Sequence, residues 1–187
     1  MLFLAPNFTN VPVMSLQTGA QLAITSEAVI DPRTLTIVAF YLEGDMLDRK
    51  PALLMTQDIR ESGDLGFIID SSEEIMAPDD MFSFQEVLKW HFELIGISTV
   101  DNHGRKLGKV VNYGVDIDSF VIEQLYIQRP FLQNLTETEL LIHRSQIISV
   151  TDEQITVSAP DIKAGQKLAS QAKAFINPFS AEPKGEA

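Results

Sequence analysis

Val100-Asp101-Asn102-His103-Gly104-Arg105-Lys106-Leu107-Gly108-Lys109-Val110 is the stretch on which the fold turns. Residues 97–100 and 107–111 are short β-prone runs. Asp-Asn-His-Gly between them is turn chemistry, with Gly104 able to supply a positive φ, so the stretch reads as a β-hairpin. Downstream, residues 120–127 form a longer apolar-alternating run, and residues 146–150 and 155–157 flank a polar turn as a second hairpin. Several short strands within about 65 residues suggest a small barrel, which also hides the sheet edges.

The upstream sequence repeats this pattern. A shift of 85 places Gly19 on Gly104, Leu22 on Leu107, Ala23 on Gly108, Asp31 on Asp116, Leu35 on Phe120, Ile37 on Ile122 and Tyr41 on Tyr126. A shift of 88 then places Leu54 on Ile142, Ile59 on Ile147, Asp64 on Asp152, Phe67 on Ile155 and Ile69 on Val157. The change of shift implies three extra residues in the second copy, between 128 and 139. A period this long means two copies of a small domain rather than a solenoid.

Between the copies, Ser83-Phe84-Gln85-Glu86 fits a capping box with Phe82 and Val87 as a hydrophobic staple. Phe84, Val87, Leu88 and His91 share one helical face, which should pack on a barrel. Trp90, the single tryptophan, is expected to be largely buried, bridging the two units. After the second copy, Leu168, Ala172, Phe175 and Ile176 recur at helical spacing opposite Lys163, Lys167 and Lys173. From Asn177 onward the prolines and charges predict a mobile tail. The fold class is thus mainly β: two small barrels in tandem (residues 9–78 and 93–160), a linker helix over 79–92, a C-terminal amphipathic helix over 161–176 and a flexible tail over 177–187.

The second copy resembles the PRC-barrel family through the hairpin above, Asp116, Ile142-His143-Arg144-Ser145-Gln146-Ile147 and Asp152-Glu153-Gln154-Ile155-Thr156-Val157. That family includes the cytoplasmic domain of the photosynthetic reaction-centre H subunit and the C-terminal domain of the ribosome maturation factor for the small subunit. The resemblance covers most of residues 93–160 and implies a small β-barrel with no family-wide catalytic residues. The first copy, with Gln17-Thr18-Gly19-Ala20-Gln21-Leu22-Ala23, keeps one glycine of the pair and reads as a diverged second barrel.

Composition narrows the role. Among 187 residues there is no Cys, which removes disulfides, thiolate metal sites and thiol nucleophiles. The net charge of −12 repels phosphate, so DNA is not an expected partner and structured RNA is disfavoured. No apolar run approaches a membrane span, and the N-terminal Met1-Leu2-Phe3-Leu4-Ala5-Pro6 lacks a basic leader pattern; the expected address is cytoplasmic.

No catalytic set stands out. His91, His103 and His143 lack paired ligand spacing, and no metal or cofactor is implied. Glu73-Glu74 and Asp79-Asp80 fit a linker and a helix start better than a calcium site. Ser170 and Lys173 fit a solvated helix face better than a nucleophile and its base. Asp31 and Asp116 recur in both copies and read as turn caps rather than a duplicated binding site.

Charge is asymmetric, however. Residues 1–85 carry 4 Lys+Arg against 13 Asp+Glu, while residues 86–187 carry 10 against 13. Arg105, Lys106 and Lys109 gather on one hairpin whose first-copy equivalent, residues 20–24, is uncharged. They are the candidate partner-binding residues, for an acidic protein surface or a structured RNA, or else ordinary solvated cations. The expected role is a non-catalytic interaction or scaffold module, in RNA processing or ribosome-related assembly by analogy with the family. The alternative is a small ligand or an enzymatic reaction in a cleft between the barrels, with Asp31, Asp116 or the histidines as polar groups.

Overall fold

The computed structural model describes residues 1–80, 84–129 and 139–158. The expected Ser83 cap, the C-terminal helix over 161–176, the tail over 177–187 and most of the stretch holding the three extra residues lie outside them. The described protein is mainly β. After β1 (Leu2–Leu4), a first group of strands comprises β2 (Pro12–Ser15), β3 (Gln21–Asp31), β4 (Thr36–Glu43), β5 (Ala52–Met55), β6 (Glu61–Gly63) and β7 (Gly66–Ile69). Then come the two-residue β8 (Ile75–Met76) and the helix α1 (Gln85–Trp90). A second group follows: β9 (Ser98–Asp101), β10 (Lys106–Asp116), β11 (Val121–Gln128), β12 (Glu139–His143), β13 (Ile147–Val150) and β14 (Gln154–Val157).

In the first group β2, β3, β4 and β5 pair successively antiparallel, β6 pairs with β7, and β7 returns parallel to β2. In the second group β9, β10, β11 and β12 do the same, β13 pairs with β14, and β14 returns parallel to β9. The hydrogen-bonded path runs β13-β14-β9-β10-β11-β4-β3-β2-β7-β6 and is open at both ends. A 3-10 turn, Thr56–Asp58 or Arg144–Gln146, carries the chain out of β5 or β12 into the next strand.

The groups meet through β4 and β11, where Val121 lies opposite Thr36. The Ile37 N–H donates to the Phe120 carbonyl at 2.9 Å, and the Ile122 N–H donates to the Leu35 carbonyl at 2.8 Å. Leu35 (φ 48) and Phe120 (φ 56) are both left-handed and both buried. Such backbone costs about 1–2 kcal/mol in a non-glycine residue, and here it turns each carbonyl toward the other group. Arg144 reinforces the contact by donating to the Thr34 carbonyl at 2.6 Å.

One apolar core draws Ile30, Ile37, Phe40 and Phe67 from the first group together with Ile122, Leu125, Ile142 and Ile155 from the second. Phe8, preceding β2, is inserted between them. Its ring lies 5.8 Å from Phe40 and 6.4 Å from Phe120, while Phe40 and Phe120 meet edge to face at 5.9 Å. Such pairings add about 0.5–1.5 kcal/mol each beyond area burial.

Two expectations are corrected. Trp90 does not bridge the groups: it is 44% exposed, with the Arg33 guanidinium 4.9 Å above its ring. The bridging role belongs to the phenylalanines, because α1 lies on the outer face of the first group. His91 is not on the packing face either. It ends the helix in a left-handed conformation (φ 45) and is exposed, leaving Phe84, Val87 and Leu88 to pack against Val29, Ala39, Leu53 and Met55.

Candidate interaction surface

The hairpin between β9 and β10 is held from inside by Asp101, which is buried. Its Oδ1 accepts the His103 N–H at 2.9 Å and the Arg105 N–H at 2.8 Å, and its Oδ2 accepts the Arg105 Nε–H. Burial pushes this carboxyl up, but the Arg105 and His103 bonds and the Arg105 charge outweigh it and hold it below the usual carboxylate range. Gly104 (φ 79) completes the turn, its N–H donating to the Asp101 carbonyl at 3.0 Å. An acidic residue closing an Asx-type turn therefore doubles as the anchor for the Arg105 stem.

The β-bulge in β10 decides where the cations point. Lys106 lies opposite Val100 and Gly108 opposite Thr99, so Leu107 is the extra residue. Gly108 has φ 150, and a Cβ there would run into the Gln128 carbonyl. The irregularity keeps Leu107 and Val110 buried while Lys106 and Lys109, three apart, are both exposed. Arg105 is exposed beyond its Nε, and among the described residues neither Lys106 nor Lys109 is ion-paired. The hairpin thus presents two point charges and part of a guanidinium from a braced turn.

The corresponding first-group turn uses Ser15, buried, whose Oγ accepts the Thr18 N–H at 3.3 Å. It carries no cation, and its most prominent side chain is the exposed Leu16. A bulge recurs at Leu22, between the pairs Val13–Ala23 and Met14–Gln21.

The other candidates fall apart in space. Asp31 binds Arg33 three times, through the N–H at 2.9 Å, Nε at 3.0 Å and Nη2 at 2.8 Å, and the Arg33 guanidinium holds its carboxyl below the usual range. Asp116 accepts the Met1 ammonium and the Ser119 hydroxyl, each at 2.8 Å, and these lower its pKa. The pairs Asp31–Thr36, Thr36–Val121 and Val121–Asp116 put the two residues on strands separated by two others in the ladder. His103 lies in the hairpin turn and His143 at the end of β12, both exposed. Glu74 caps a 3-10 turn by accepting the Ser71 N–H at 2.8 Å, and Asp80 pairs with Arg49 at 3.1 Å. Among the described residues, no group of three or more His, Asp or Glu side chains gathers in a way that could hold a metal.

A groove of 470 Å³ does run between the groups, bordered by Phe8, Ile30, Leu94 and Tyr113. Asp31, Asp116 and the three histidines are not in its lining. Tyr113, which sequence reasoning passed over, is its buried polar residue, and desolvation pushes its phenol up to about 12. It therefore stays protonated at neutral pH and offers only hydrogen bonding. No protein-family model matches the chain, and no curated protein matches it either.

Proposed function

We propose that this chain is a non-catalytic interaction module built on two PRC-type barrels in tandem, with the Arg105, Lys106 and Lys109 hairpin docking an acidic protein surface. The observation that carries the reading is the braced hairpin: a buried carboxylate and a glycine-dependent bulge hold three cations outward on a chain with net charge −12. The duplicated-barrel reading is supported by pairing schemes that correspond strand for strand at shifts of 85 to 88. In each set a late strand returns parallel to the first, β7 to β2 and β14 to β9, on a path that stays open. A ribosome-related or RNA-processing setting follows only by analogy with the family, and the compartment in this reading is the cytoplasm. No helix among the described residues is long and apolar enough to cross a membrane.

Exposed cations of this kind govern association rate and partner choice more than raw affinity, and salt screens them over about 8 Å at physiological ionic strength. Replacing all three by Gln, with circular dichroism confirming the fold, should remove the salt-sensitive partners recovered by native pull-down. Recovery of the same partners at the same yield would sink the reading. Partners lost on nuclease treatment would assign the hairpin to structured RNA instead. The alternative of a ligand in the inter-group groove keeps Tyr113 as its polar anchor and loses Asp31, Asp116 and the histidines.

A further inference from the structure

The groove between the two groups is built from corresponding pieces of each. The Asn10 N–H donates to the Thr25 carbonyl and the Gly96 N–H to the Val110 carbonyl, both at 2.8 Å. Two residues before these donors stand Phe8 and Leu94, both buried, and three residues after the acceptors stand Ala28 and Tyr113; all four line the groove. The backbone matches but the side chains do not: Ala28 leaves room where its counterpart is a tyrosine. Tyr113 is 6% exposed, no described group hydrogen-bonds its hydroxyl, and burial alone shifts its titration. An apolar groove with one buried hydroxyl left without a described partner has the make-up of a ligand site, and 470 Å³ lies within the range that such sites occupy.

The rim sets the charge of what enters. β3 is bulged between Thr25 and Ala28, and Glu27 of that stretch borders the groove from the first group, as Glu93 does from the segment leading to β9. Both are exposed, and among the described residues neither is ion-paired. Phe92, Glu93 and Ile95 also wall a second hollow of 430 Å³, to which Trp90, Asp152 and Glu153 belong. Among the described residues neither lining contains a Lys or Arg, and Arg33, beside Trp90, is held by Asp31. Adjoining apolar hollows rimmed by carboxylates complement an extended segment in which apolar side chains alternate with long cationic ones. We infer that the groove between the groups binds a basic, apolar peptide segment of a partner protein. Apolar side chains of the segment enter against Phe8, Ala28 and Leu94, the Tyr113 hydroxyl bonds its backbone, and its Arg or Lys side chains reach back to Glu27 and Glu93 on the rim.

This groove and the cationic hairpin are separate surfaces, so replacing Arg105, Lys106 and Lys109 by Gln should not weaken binding here. The probe is a fluorescein-labelled peptide, Gly-Phe-Arg-Leu-Arg-Gly, titrated with the full chain and read by anisotropy. It should bind saturably, about tenfold more tightly than the same peptide with Glu for Arg or with Ser for Phe and Leu, and more weakly as salt rises. Glu27→Gln with Glu93→Gln should weaken it by about tenfold, the scale of two exposed ion pairs, and Ala28→Phe should block it by filling the groove. Trp90 is the single tryptophan and lines the adjoining hollow, so its emission should change with the unlabelled peptide at the same midpoint. No binding at about 1 mM, equal binding of the Glu peptide, or unchanged affinity in the paired Gln variant overturns the inference. Displacement of the peptide as protein concentration rises would give the groove to a second copy and overturn it as well.

Discussion

Thr99 sits in β9, fully buried, and its Oγ1 has no hydrogen-bond partner among the described residues. The equivalent place in β2 is Val13, also fully buried. A buried hydroxyl left unpaired costs about 1–3 kcal/mol, and valine has nearly the same shape. Thr99→Val should therefore stabilise the protein by about 1 kcal/mol, measured as a rise in the midpoint of urea unfolding. Tyr113 carries the opposite kind of liability. Its phenol titrates near 10 when unfolded and at about 12 in the fold. Between these values the folded state holds the proton that the unfolded state has released, so stability falls as pH rises from 10 to 12, by about 2–3 kcal/mol in all. Tyr113→Phe should flatten that part of the pH profile in chemical denaturation; an unchanged slope would mean that Tyr113 is not responsible.

At the scale of elements, the β9–β10 hairpin separates two uses of glycine. Gly104 needs its positive φ but has open space around it, whereas Gly108 faces the Gln128 carbonyl. Gly104→Ala should cost about 1 kcal/mol, the ordinary penalty for a left-handed residue. Gly108→Ala should cost more, because the β10–β11 backbone must separate to admit the methyl group. A smaller thermal shift for Gly108→Ala than for Gly104→Ala would contradict the bulge geometry. This hairpin, β11 and the β13–β14 pair were all legible in the sequence, since each combines alternating apolar residues with an Asp, Asn or Gly turn. β1 and Phe8 were not, because Pro6 interrupts a short apolar run that has no period of its own. The exposure of Trp90 was not legible because nothing in the sequence around it says that α1 packs on the outer face of the first group and not between the groups. The basic residues could be read as a group, but the anchoring of Arg105 by Asp101 depends on burial, which pattern alone does not display.

For the whole molecule, the sequence is silent on how the two groups of strands meet. That contact runs through Leu35 and Phe120, bulky residues in glycine-like backbone, and through phenylalanines whose spacing marks them only as core. The result is one shared core in which Phe8, Phe40, Phe67 and Phe120 touch one another. The proposed interaction role, with the hairpin presented from a fixed platform, requires the two groups to behave as one cooperative body. Native-state hydrogen exchange at the Ile37 and Ile122 amides reads this directly, because these N–H groups form the reciprocal bonds across the junction. Both amides should exchange only through global unfolding, with equal protection that tracks the denaturant-measured stability. Exchange of either at a markedly lower free energy, while the β3 and β10 amides stay protected, would show two separately folding groups and contradict the single platform.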